Sequence, residues 1–200
     1  MMRFKQHRLS KATCHIRLLY LLVFLFHSTT LMALIFDNQE IPKTVVLEDT
    51  GDVLTLRGAA LHKIFFTDGY IGAFYSLDVV STPAQALADA GPKRMWFFFL
   101  RSFDSPKKYW EQAIKNNNSP EVLERDQINI SQFFKMVDYP LNQGDILILD
   151  YIPNVGTRVI VKGTVRGIIK GNEFYSLILK VWMGRQPPSE KFRKDLFNLS

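Results

Sequence analysis

The chain has 200 residues, 47% of them hydrophobic, a composition that suits one domain with a sizeable core. Its formal net charge is +6, but residues 1–33 hold Arg3, Lys5, Arg8, Lys11 and Arg17 and no acid. The remainder carries 20 basic against 19 acidic residues, which removes the main support for nucleic-acid binding. The single cysteine, Cys14, and His7, His15 and His27 fall in the same leading stretch. The rest of the chain therefore has no thiol and one histidine, His62, which excludes cysteine chemistry and a zinc site of His and Cys. No calcium-loop pattern is present, and no metal or cofactor is expected.

In chain order, the basic start is followed by the apolar run Leu18–Phe26 and the polar His27-Ser28-Thr29-Thr30. This is the pattern of a secretory signal peptide, or of a signal-anchor if it is not cleaved. The expected organisation is a signal peptide or signal-anchor over 1–33, a linker over 34–43 and a domain over 44–200. The folded part is expected outside the cytoplasm. Contact with a membrane is expected only through the N-terminal segment, if it stays attached.

Thr44–Leu47 and Val53–Leu56 read as strands around the turn Asp49-Thr50-Gly51-Asp52. A strand-like run from Ile64 to Tyr75 is interrupted at Thr67-Asp68-Gly69, and Asp-Gly between apolar runs signals a hairpin. Ser81-Thr82-Pro83 opens a short helix, and the unbroken apolar run Met95–Leu100 reads as a strand covered on both faces. Ser105-Pro106 and Ser119-Pro120 each open a helix. The first carries Tyr109, Ala113 and Asn116 on one face; the second has the buried stripe Ile130, Phe133, Phe134 and Val137. A β-meander follows, with strands at 145–152 and 158–161 and a third running through Ile169, turning at Pro153–Gly156 and Lys162-Gly163. A helix from Asn172 to Gly184 and a last helix after Pro187-Pro188-Ser189 complete one α+β domain.

Several motifs are spaced along the chain: Leu56-x-Gly58-Ala59 before Ala73-Phe74-Tyr75, Gly91-Pro92-Lys93-Arg94 before Leu100-Arg101, Gly144-Asp145 before Asp150-Tyr151, and Trp182-Met183-Gly184. Together they resemble the bacterial chalcone isomerase-like family. The resemblance spans about residues 44–197. It implies an open-faced β-sandwich: a long curved antiparallel sheet with helices packed on one face and a cleft between the layers. It also implies one long bent strand through Asp68-Gly69, so that a bend or bulge replaces the hairpin.

In the plant enzymes of the superfamily an arginine, a threonine, and a helical tyrosine and asparagine act on an enone substrate. By resemblance, His62 stands at the arginine position, Tyr70 at the threonine position, and Tyr109 and Asn116 keep the helical pair's seven-residue spacing. Tyr175 falls near a small hydroxyl residue of those enzymes. Neutral imidazole cannot replace a bidentate guanidinium. The first expectation is therefore a non-catalytic protein holding a small apolar or carboxylate-bearing, fatty-acid-like ligand, with Tyr70, Arg101, Tyr109 and Tyr175 as binding residues. The alternatives are an isomerase or intramolecular lyase using His62, Tyr70, Tyr109 and Asn116, and a structural envelope protein. A bacterial source would make the compartment the periplasm.

Overall fold

The computed structural model describes residues 33–199; the apolar leader and Cys14 lie outside the described residues. Nine strands are described: β1 (Ala33–Phe36), β2 (Gln39–Pro42), β3 (Thr44–Val46), β4 (Val53–Ile64), β5 (Thr67–Ser76), β6 (Lys93–Phe99), β7 (Ile146–Ile152), β8 (Gly156–Val161) and β9 (Thr164–Lys170). The helices are α1 (Pro83–Ala88), α2 (Lys107–Asn117), α3 (Pro120–Arg125), α4 (Gln127–Val137), α5 (Glu173–Met183) and α6 (Glu190–Asp195). Strands β3 to β9 form a curled seven-stranded antiparallel sheet in strict chain order, and β1 pairs with β2. The expected α+β architecture, a curved antiparallel sheet with helices, is the one observed.

Strand periodicity sorts the side chains. On β6, Met95, Phe97 and Phe99 join the larger core under the helices, with Trp182, Phe133 and Phe192. Trp96 and Phe98 face the other way, into a second cluster with Ile41, Leu47, Ile71 and Tyr75. Both faces of β6 are thus covered by apolar side chains, which explains why its sequence shows no alternation.

Four expectations are corrected. Residues 34–43 are not a plain linker: β1 and β2 form a hairpin whose Ile41 is fully buried in the second cluster, while Tyr75 Oη donates to the Pro42 carbonyl at 3.0 Å. The single bent strand through Asp68-Gly69 is two paired strands, with Ile64 opposite Thr67 and Phe65-Phe66 as the turn. The bare hairpin signal was right in kind, but the turn lies three residues earlier. Phe65 takes φ +56°, a conformation that costs a non-glycine residue about 1 kcal/mol. A register shift at His62/Lys63 adds the local irregularity that the resemblance implied as a bend. The helix expected from Ser119-Pro120 breaks at Asp126, between α3 and α4. There the carboxylate accepts from Arg125 Nη2 at 2.7 Å and from Asn129 Nδ2 at 3.1 Å. Such local side-chain bonds compete with helix propagation. Tyr175 is the fourth and is described with the site.

Candidate functional site

A cleft of about 710 Å³ opens where the β4–β5 end of the sheet faces α2 and the connection from α5 to α6. Its sheet side is set by strand pairing. His62 lies directly opposite Tyr70, and Tyr70 opposite Phe99, so consecutive strands present three rings on one rung. The His62 and Tyr70 rings are 4.7 Å apart and tilted by 42°, and Phe192 from α6 approaches both, at 6.1 and 5.9 Å.

Tyr70 is buried, and its phenol pKa is raised above the usual value by burial, an effect the Trp182 hydrogen bond opposes. The hydroxyl is protonated at every physiological pH. Trp182 Nε1 donates to it at 3.1 Å, which occupies an acceptor position and leaves the phenolic proton free to donate. Among the described residues no hydrogen bond takes that proton. His62 is half-buried, and burial lowers its pKa from 6.5, which favours the neutral imidazole at pH 7.

The helical wall comes from α2. Ser105 Oγ accepts from the Lys107 amide at 3.1 Å at the start of this helix. Residues 109, 113 and 116 then follow on one face, and Tyr109, Ala113 and Asn116 all line the cleft. Tyr109 is exposed, and Asn116 Oδ1 accepts from Gln112 Nε2 at 2.8 Å. Phe99, Phe103, Trp110 and Val181 supply apolar lining, and Lys63 and Lys108 bring positive charge. Lys63 is paired with Asp68 at 3.0 Å, both partly exposed; Lys108 has no acidic partner among the described residues.

The structure therefore brings together His62, Tyr70, Tyr109 and Asn116. It places Arg101 outside this lining, in an adjoining hollow that shares Ile64, Phe65, Phe103, Lys108 and Tyr109 with the cleft. The Arg101 guanidinium sits 5.9 Å from the centre of the Phe103 ring. Tyr175, expected as a ligand contact, is instead a core residue on α5. It is almost fully buried, its Oη donates to the Leu149 carbonyl at 3.2 Å, and it lines a different hollow.

Sequence reasoning missed Trp182 as the group that orients Tyr70, and Gln112 and Lys108 as cleft residues. Gln112 was within reach, three residues from Tyr109 and four from Asn116 on the same helical face. Trp182 was legible as part of a buried stripe, but its indole partner is 112 residues away and carries no local signal.

A family model described as chalcone isomerase-like matches residues 33–198. Among solved structures, the crystal structure of a fatty-acid binding protein of Arabidopsis thaliana matches with a TM-score of 0.51 and 15% identity, over 77% of this chain and 95% of that one. At that identity the likeness is one of fold. A sequence search of curated proteins finds no match.

Proposed function

The chain belongs to the chalcone isomerase-like family, and on that premise we propose that it is a non-catalytic binding protein for a small apolar acid of fatty-acid type. The observation that carries this is the cleft itself: about 710 Å³, largely apolar, with a buried Tyr70 hydroxyl that has a proton to donate and no acceptor among the described residues. The ligand's carboxylate accepts from Tyr70 beside His62, and its chain lies along Phe99, Phe103 and Trp110 toward the mouth. That the fold neighbour is a fatty-acid binder adds support. Export belongs with this role, supported by the basic and apolar N-terminal sequence; in a bacterium the destination would be the periplasm.

The test is native mass spectrometry with lipid extraction of the protein purified from its host, followed by titration with saturated fatty acids read by Trp110 fluorescence. A stoichiometric acid and saturable binding are expected. Tyr70→Phe is expected to weaken binding about tenfold or more, since a hydrogen bond to a charged group is lost. An empty protein that binds no acid would overturn the proposal.

Binding should also take up a proton. The free-state His62 pKa lies below 6.5, and a carboxylate beside it favours imidazolium. While the bound imidazole is protonated and the free one is not, affinity rises as pH falls, by up to about tenfold per pH unit. The rise levels off below the free-state value. Lys63, Lys108, Tyr70 and Tyr109 are the other titratable groups that line the cleft. Affinity measured from about pH 8 to pH 6 should show the slope in the wild type and not in His62→Gln. A flat wild-type profile would put the carboxylate elsewhere.

A second reading, an isomerase or intramolecular lyase, is favoured by one observation: His62, Tyr70, Tyr109 and Asn116 line the same cleft. Turnover of an enone substrate, abolished by Tyr70→Phe, would establish it over simple binding.

A further inference from the structure

The turn between β4 and β5 does nothing for the fold that its residues explain. Phe65 and Phe66 are 92% and 101% exposed, the two most exposed large apolar side chains among the described residues. Phe65 also holds a positive φ, where an aromatic residue is unusual and glycine is preferred. Two adjacent phenylalanines held in water at a hairpin tip are unfavourable unless something apolar receives them. Around the same tip lie Lys63, Arg101 and Lys108, with Asp68 and Asp104 as the acids. Asp68 is engaged by Lys63, whereas Arg101 and Lys108 have no acidic partner among the described residues. Phe65 lines both the ligand cleft and the adjoining hollow that holds Arg101, so the tip stands at the mouth of the cleft.

We propose that the β4–β5 tip is a membrane-docking element: Phe65 and Phe66 insert into the interfacial region of an anionic bilayer, and Arg101 and Lys108 contact lipid phosphates. Aromatic side chains favour that depth, and unpaired cations beside them favour a negatively charged surface. A pair of aromatics flanked by cations suits a fluid lipid interface, which needs no matching shape. The docked geometry sets the cleft mouth against the bilayer. A fatty acid can then enter headgroup first toward Tyr70 and His62, its chain leaving the lipid last. This last step rests on the binding role proposed above; the docking itself does not.

The experiment uses the full chain in a Cys14→Ser background, labelled with an environment-sensitive fluorophore at Phe66→Cys. A second preparation is labelled at Val79→Cys, an exposed site just beyond the far end of β5. Both are mixed with phosphatidylcholine vesicles containing phosphatidylserine, with and without spin labels in the acyl chains. The Phe66 probe is expected to shift to the blue and be quenched, and the Val79 probe to do neither. Two dark outcomes, or equal quenching at both sites, would overturn the proposal. So would a Phe66 shift that depends on protein concentration without vesicles, since a second copy would then cover the tip. Palmitate binding without vesicles, measured on wild type and Phe66→Ser, separates the two ideas. Insertion without palmitate binding removes the proposed ligand and leaves the docking; palmitate binding without insertion does the reverse.

Discussion

Asp150→Ala is expected to destabilise the protein by about 3–5 kcal/mol, which lowers the melting temperature by roughly 10 °C in a domain of this size. Asp150 is completely buried between two arginines on neighbouring strands. Arg94 Nε and Nη2 donate to its two oxygens at 2.5 and 3.0 Å, and Arg158 Nη2 donates at 2.8 Å. Arg158 also reaches Asp49 in the β3–β4 loop, tying that loop to the sheet. The energetic asymmetry decides the size of the effect. A buried pair that replaces water contacts contributes little net, but removing its central carboxylate leaves two guanidinium groups buried with the donors that faced it unmet, Arg158 keeping only Asp49. Asp150→Asn keeps some acceptors and the volume and should cost less. Chemical denaturation of the three proteins checks the order. A loss under about 1 kcal/mol for Asp150→Ala would mean that the arginines reach water in the variant.

That rung also bears on the cleft. Arg94 and Phe99 belong to the same strand, but five positions apart they point to opposite faces. The charges join the second cluster's face near one end of β6, while Phe99 meets Tyr70 near the other, under the helices. Arg94, Asp150 and Arg158 do not line the cleft, so the sheet carries this buried network without adding to the charge there. Losing Asp150 should therefore lower stability with little change in acid affinity of the folded fraction.

Much of this arrangement was legible because it is local. Caps, turns and stripes announced most of the helices and the meander: Thr82 Oγ1 accepts from the Gln85 amide, and Ser189 Oγ accepts from the Phe192 amide. The spacing of Tyr109 and Asn116 placed both on the cleft side of α2, since seven residues return a helix to nearly the same face. What failed was non-local. Whether Asp68-Gly69 turns or merely bends depends on pairing set across β4 and β5, and the register places Phe65-Phe66 at the turn against their poor turn chemistry. Tyr175 was expected as a ligand contact because it falls near a small hydroxyl residue of the plant enzymes; its partner is a β7 carbonyl that only the tertiary fold brings near. The hairpin over 33–42 was missed because its strands are four residues each and its anchor, Ile41, is buried by residues distant in sequence.

Gly58→Ala is expected to lower stability by about 3 kcal/mol and to weaken acid binding as well. Gly58 lies at an irregularity in β4, where the register shifts between Leu56 and Gly58. A Cβ added there would stand 2.3 Å from the Asp195 carbonyl oxygen and 2.4 Å from the Leu196 carbonyl carbon. Both are backbone atoms at the end of α6, so a rotamer change cannot relieve the clash and the segment must move. That segment carries Phe192 and Leu196, both fully buried, and the Leu199 amide donates to the Arg57 carbonyl at 2.9 Å. Moving it withdraws Phe192 from the edges of His62 and Tyr70, so the damage reaches the cleft although residue 58 does not line it. Gly51→Ala is the matched control: its added Cβ meets nothing within 4 Å, and only the positive φ of 74° counts against it. It should cost about 1 kcal/mol and leave binding unchanged. Thermal melts and fatty-acid titrations of both variants check this. If Gly58→Ala melts early but binds acid like the wild type, α6 seats the sheet without shaping the cleft, and Phe192 is packing alone.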